Sequence, residues 1–174
     1  MKKLLLFFLI LLFIKAIYGE GSYKLGLGSC HNQDYPTTAW SALEQENIDS
    51  FFFLGDNVYG DVPSGELDRL INAYKNFSKI IPKWLKETEI FVIWDDHDYG
   101  LNDGGSDYRY KIQSQKLFND FWDIKQNDLR RQRDGIYFSE TKIIQNKKIL
   151  FLGLDTRFFR SQLTKSNNAY VVNN

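Results

Sequence analysis

A single cysteine, Cys30, leaves the chain unable to close an intramolecular disulfide, so a disulfide-stapled scaffold is excluded. An excess of charge of one sign is also lacking, since 22 Lys and Arg balance 22 Asp and Glu. Without a basic face, nucleic-acid binding is not expected. Histidine is scarce, with only His31 and His97 in 174 residues. After the amino terminus no linker, low-complexity tract or repeat interrupts the chain, which argues for one domain. The apolar run Leu4–Ile14 is shorter than the ~20 residues that span a bilayer. It follows the basic Met1-Lys2-Lys3 and precedes the small Gly19, so residues 1–20 read as a signal peptide. The expectation is a secreted or lumenal protein with no stable membrane span after cleavage. The alternative is an uncleaved signal anchor. In an oxidising compartment a lone cysteine is buried, paired with another chain or protected by a metal. Asn76-Phe77-Ser78 is a potential N-glycosylation acceptor.

What the chain does have suits a packed core: 43% hydrophobic residues, 25% charged and 16% aromatic. Residues 23–27 alternate and end at Gly28, as a strand entering a loop does. Residues 38–47 have helical spacing, with Thr37 or Thr38 as N-cap. Phe51-Phe52-Phe53-Leu54 is a short apolar run stopped by Gly55-Asp56, which predicts a buried strand. Leu67, Leu70, Ile71, Tyr74 and Phe77 mark a helix over 66–77. Residues 90–94 predict a second buried strand, and 106–123 a helix turning Tyr110, Leu117, Phe118 and Phe121 to the core. Residues 135–139 and 141–144 predict a hairpin, followed by a strand over 148–154. Strands alternate with helices and then follow one another, an α/β layout with some antiparallel pairing.

Open α/β sheets bind ligands beyond the carboxyl ends of their strands, and the polar clusters fall there. Ser29-Cys30-His31, Gly55-Asp56-Asn57, Asp95-Asp96-His97 and Asp155-Thr156-Arg157 each follow a predicted strand. In Asp95-Asp96-His97-Asp98, each bare carboxylate pair at ~5 Å costs about 3 kcal/mol at an effective dielectric of ~20. A cation removes that penalty, and the oxygen and nitrogen donors suit Ca, Mn, Fe or Zn. The competing reading is an acidic turn capping the next helix. Asp56 has two oxygens with which to bridge cations, and Tyr59 can offer a phenolate to a strongly acidic ion such as Fe(III). Here the competing reading is a Gly-Asp-Asn turn bonded to its own backbone. Cys30 is a soft ligand or a small buried residue. Arg157 holds a phosphate oxygen or is a structural partner of Asp155.

Four segments together carry a resemblance: GSC at 28–30, FLGDNVYGD at 53–61, WDDHDYGLNDGG at 94–105 and LDTRFFR at 154–160. In this order they resemble the PhoD-like (alkaline phosphatase D) phosphatases of the calcineurin-like metallophosphoesterase superfamily, over about residues 23–165. The resemblance implies a β-sandwich flanked by helices, of which residues 21–174 supply the first half. It implies hydrolysis of phosphomonoesters or phosphodiesters at a di- or trinuclear Fe(III) and Ca(II) centre, other divalent metals being possible. Asp56 is similar to the bridging ligand, Cys30 and Tyr59 to iron ligands, and Asp96 to a ligand of the second metal. His97 matches the histidine that stabilises the transferring phosphoryl group or protonates the leaving group, and Asn102 a phosphate-contacting residue. Arg157 joins these, with Asp95 and Asn57 as further ligands or supports of ligands. The family's later Asp and His ligands have no counterpart here, so a carboxy-terminally truncated domain is expected. The alternative is a catalytically incomplete, secreted metal-binding module.

Overall fold

The computed structural model describes residues 22–35, 38–166 and 169–172. The expected signal peptide and Thr37 lie outside them. Strand β1 (Leu25–Gly28) leads through α1 (Ala39–Gln45) to β2 (Ser50–Leu54). Helices α2 (Asp68–Ile80) and α3 (Lys83–Glu87) connect β2 to β3 (Glu89–Ile93). A single helical turn, α4 (Asp96–Tyr99), precedes α5 (Lys111–Phe121). A 3-10 turn at Leu129–Arg131 is followed by β4 (Phe138–Ile144), β5 (Lys147–Gly153), β6 (Leu163–Ser166) and β7 (Ala169–Val172).

The mixed α/β class is present, centred on a parallel sheet of order β1-β2-β3. Two-residue periodicity decides which layer each β2 side chain enters. Phe51 and Phe53 join Val92 and Trp94 on the helical side, against Leu70, Tyr74, Phe77, Leu85 and Phe118. Phe52 points the other way, where Phe91 and Phe151 meet it in a second cluster. Phe91 and Phe151 stack at 4.2 Å between centroids. All three β2 phenylalanines are buried, as a strand covered on both faces requires.

The hairpin is placed differently from expectation. Phe138–Ile144 is one strand, paired in full with Lys147–Gly153, rather than two strands meeting near residue 140. The two-residue loop explains the register. Gln145 and Asn146 both adopt positive φ, 51° and 62°, matching a primed turn whose twist suits a tight hairpin. Gly135 and Ile136 are held outside it, because Gly135 N–H donates to Gln115 Oε1 and Ile136 N–H to Asp155. Helix α5 also starts later than 106, since Ser106 N–H donates to the Arg160 carbonyl and Tyr108 N–H to Gly105. The short α3 and the β6–β7 hairpin were not expected at all. Among the described residues no helix is long and apolar enough to cross a membrane. Asn76 is exposed on α2.

Phe77 is fully buried and touches the rings of His31, Phe53, Phe121 and Trp122. Phe77→Ala is expected to lower stability by about 3–5 kcal/mol, measured by urea denaturation followed by circular dichroism.

Candidate metal centre

The three parallel strands end on the same side, and their loops are stitched together there. Cys30 N–H donates to the Gly55 carbonyl at 3.2 Å and His31 N–H to that of Asp56 at 2.9 Å. Cys30 and Asp56 both take left-handed backbone, φ 57° and 51°, which turns their side chains off the strand axes. Gly55 lies where the β2 and β3 loops touch. A Cβ there would come within 2.7 Å of the Asp95 backbone nitrogen, and φ is +99°. Only glycine fits that crossing.

Asp98 then locks the loops. It is fully buried, and its carboxylate accepts from Asp95 N–H (2.6 Å), Asp56 N–H (3.2 Å), Asn57 N–H (3.1 Å) and Asn57 Nδ2 (2.6 Å). Burial pushes its pKa well up, while the backbone donors oppose that shift. Every neighbour donates, so the ionised form is the one whose lone pairs are filled. Asn57 also donates to the Ile93 carbonyl at 2.8 Å. Its side chain bonds across to β3 and Asp98, not to its own turn as the Gly-Asp-Asn alternative would have it. Asp95 and Asp98 form a capping box at the start of α4, so the capping alternative holds for those two carboxylates.

The remaining side chains converge. Ligand atoms of Asp56, Asp96 and His97 lie within 4.8 Å of one another. Burial raises the pKa of Asp56, and the charges of Asp95 and Asp96 add to the rise, against a lowering by His97. Cys30 Sγ stands 3.7 Å from Asp56 Oδ2 and is exposed, which removes the small-buried-residue alternative. The Tyr59 ring lies 4.3 Å from that of His97. Its phenol is pushed up to about 12 by desolvation first, then by Asp56 and Cys30. His97 Nδ1 meets Asp61 Oδ1 at 2.7 Å, which holds the ring. Asp96 accepts from Asp103 N–H at 2.8 Å, drawing the glycine-rich loop over the site.

Arg157 reaches the same place from the hairpin. Its guanidinium bonds Asp95 and lies 3.4 Å from Asp96. Asp155 is its neighbour only through the backbone, accepting from the N–H groups of Arg157 and Phe158 at 2.9 Å and from Trp94 Nε1 at 2.9 Å. Asn102 is exposed and bonds Asp103 at 3.2 Å, outside the cluster. Two residues that matter most to the geometry, Asp61 and Asp98, had no assigned role in the sequence reading. Their motifs contained them, but a carboxylate that orients a neighbour looks the same in sequence as one that binds a metal. No family model, no curated protein and no solved structure matches this chain.

Two carboxylates and an imidazole meet here, with the Cys30 thiol against Asp56 and the Tyr59 ring against His97, a donor set that a cation would suit. A divalent cation at roughly 100 times its Kd is expected to raise the thermal midpoint by about 5–10 °C, an effect lost in Asp56→Asn. Differential scanning fluorimetry checks this. Asp98→Asn turns an acceptor into a donor against N–H groups and is expected to cost about 3 kcal/mol in urea denaturation.

Proposed function

We propose that this chain is a metal-dependent phosphoester hydrolase of the PhoD-like kind, secreted through its amino-terminal signal. The observation that carries the reading is the convergence of Asp56, Asp96 and His97 within 4.8 Å at the carboxyl ends of β2 and β3. The placing of Cys30, Tyr59 and Arg157 around them supports it, since these residues were singled out from separate segments. Asp56 and Asp96 would hold cations, with Cys30 and Tyr59 completing an Fe(III) site and carboxylate oxygens favouring Ca(II). When bound, such ions supply Lewis acidity toward the phosphoryl oxygens and the attacking water. The chain's own residues do the rest. Asp61 would accept from His97 Nδ1–H and hold the ring, so that the doubly protonated imidazolium would donate from Nε2 to a phosphoryl or leaving oxygen and the neutral ring would accept there. Arg157, charged and half-buried, brings N–H groups to the same edge while Asp95 holds its plane. The sandwich architecture belongs to this proposal too. The parallel sheet and the hairpin stacked on it through Phe91 and Phe151 are its first elements.

A second reading has its own support. Arg157 is already engaged by two aspartates and Asn102 stands clear of the cluster, as in a module that binds a cation without turnover. Steady-state assays separate the two. Hydrolysis of p-nitrophenyl phosphate or its bis-ester is expected, abolished by chelator and lowered about 100-fold or more in His97→Asn. Metal uptake without turnover on either ester favours the module. Activity indifferent to chelation rejects the metal reading outright. Fe(III) addition is also expected to produce a visible absorbance that Tyr59→Phe removes.

A further inference from the structure

Gln33 is a buried polar residue with no part in holding a metal or a phosphate. Its side-chain amide grips the main chain of Tyr59 at both ends. Tyr59 N–H donates to Gln33 Oε1 at 2.8 Å, and Gln33 Nε2 donates to the Tyr59 carbonyl at 3.2 Å. Nε2 also reaches Asp34 Oδ2 at 3.1 Å. A turn delivers the amide. Asp34 N–H donates to Asn32 Oδ1 at 2.9 Å, and Tyr35 N–H to the Asn32 carbonyl at 3.3 Å. Just upstream, Cys30 N–H and His31 N–H donate to the Gly55 and Asp56 carbonyls. The Cys30 loop thus runs along the β2 loop as a ladder. Gln33 supplies with a side chain the last two rungs, where Cys30 and His31 use backbone.

These rungs decide where the Tyr59 ring points. Val58 before it is fully buried, and a Cβ on Gly60 after it would come within 2.4 Å of Leu70 Cα on α2. Tyr59 is pinned by the core, by α2 and by Gln33, and its ring is left 4.3 Å from that of His97. A ligand whose main chain is already fixed meets an ion with less ordering cost at binding. Building on the iron-bearing phosphoester reading, we propose that Gln33 is a positioning residue for Tyr59. Its amide sets the phenol beside His97 and so strengthens Fe(III) binding without touching the ion. Ca(II), a hard cation held through carboxylates, does not depend on it.

Gln33→Met keeps the length of the side chain and removes both bonds to Tyr59. Gln33→Asn keeps the amide but shortens its reach, and stands in where the Met variant does not melt cooperatively. In the metal-free chain, NMR follows the His97 ring protons, assigned against His97→Asn. In either Gln33 variant they are expected to shift away from the positions that the Tyr59 ring gives them. Fe(III) affinity, measured by chelator competition, is expected to fall about 10–100-fold, while Ca(II) affinity by calorimetry stays unchanged. In a Tyr59→Phe background the Gln33 variant is expected to add nothing to the loss of Fe(III) affinity, as when one residue acts through another. Unmoved His97 signals, an equal loss of Ca(II) affinity, or Fe(III) losses that add in the double variant overturn the proposal and leave the hydrolase reading standing. Shifted His97 signals in a protein whose wild type takes up no Fe(III) support the placement of Tyr59 by Gln33 and overturn the iron centre of the phosphoester reading.

Discussion

One buried carboxylate holds the site together. Asp98 lies under the crossing of two loops and takes four N–H bonds, three from Asp56 and Asn57 of the β2 loop and one from Asp95 of its own turn. Each bond is ordinary, but together they set where Asp56 and Asp96 begin. An uncompensated buried charge is costly, and here the backbone compensates it, so the loops cannot separate without exposing that cost. Gly55 makes the crossing sterically possible and Asp98 makes it favourable.

Chemically identical residues divide the labour by position. Asp96 turns into the cluster, Asp95 holds Arg157, Asp61 orients His97, and Asp155 fixes the hairpin exit beneath Trp94. Repulsion between neighbouring carboxylates, computed as if they shared one space, therefore overstates the strain of the Asp95–Asp98 run. Asp95 and Asp96 both face Arg157 and Asp98 takes backbone N–H groups, so the remaining repulsion gathers on Asp56, whose pKa is raised first by burial and then by Asp95 and Asp96, against His97. That concentration is what a cation would relieve.

Legibility followed the range of the interaction. Apolar runs at residues 51–54 and 90–94 are local signals, and both appear as strands within one residue. The hairpin was mis-paired because Gln145-Asn146 carries little turn signal, and because residues 135–136 are engaged by Gln115 and Asp155 far away. Cys30 by itself reads more readily as a small buried residue than as a ligand, and only its left-handed loop beside Asp56 exposes the thiol at the cluster. Asp61 was invisible for the same reason: its partner is 36 residues distant.

The amino-acid sequence by itself determined the strand–helix alternation, the two-faced burial of β2 and the clustering of polar residues after each strand. These follow from periodicity and from Gly-Asp punctuation, which act within a few residues. Tertiary structure alone decided which aspartate faces other carboxylates, which orients a histidine and which supports the loops. A carboxylate's role depends on whether donors, a cationic side chain or other carboxylates face it, and most of those neighbours arrive from loops 26 to 62 residues away.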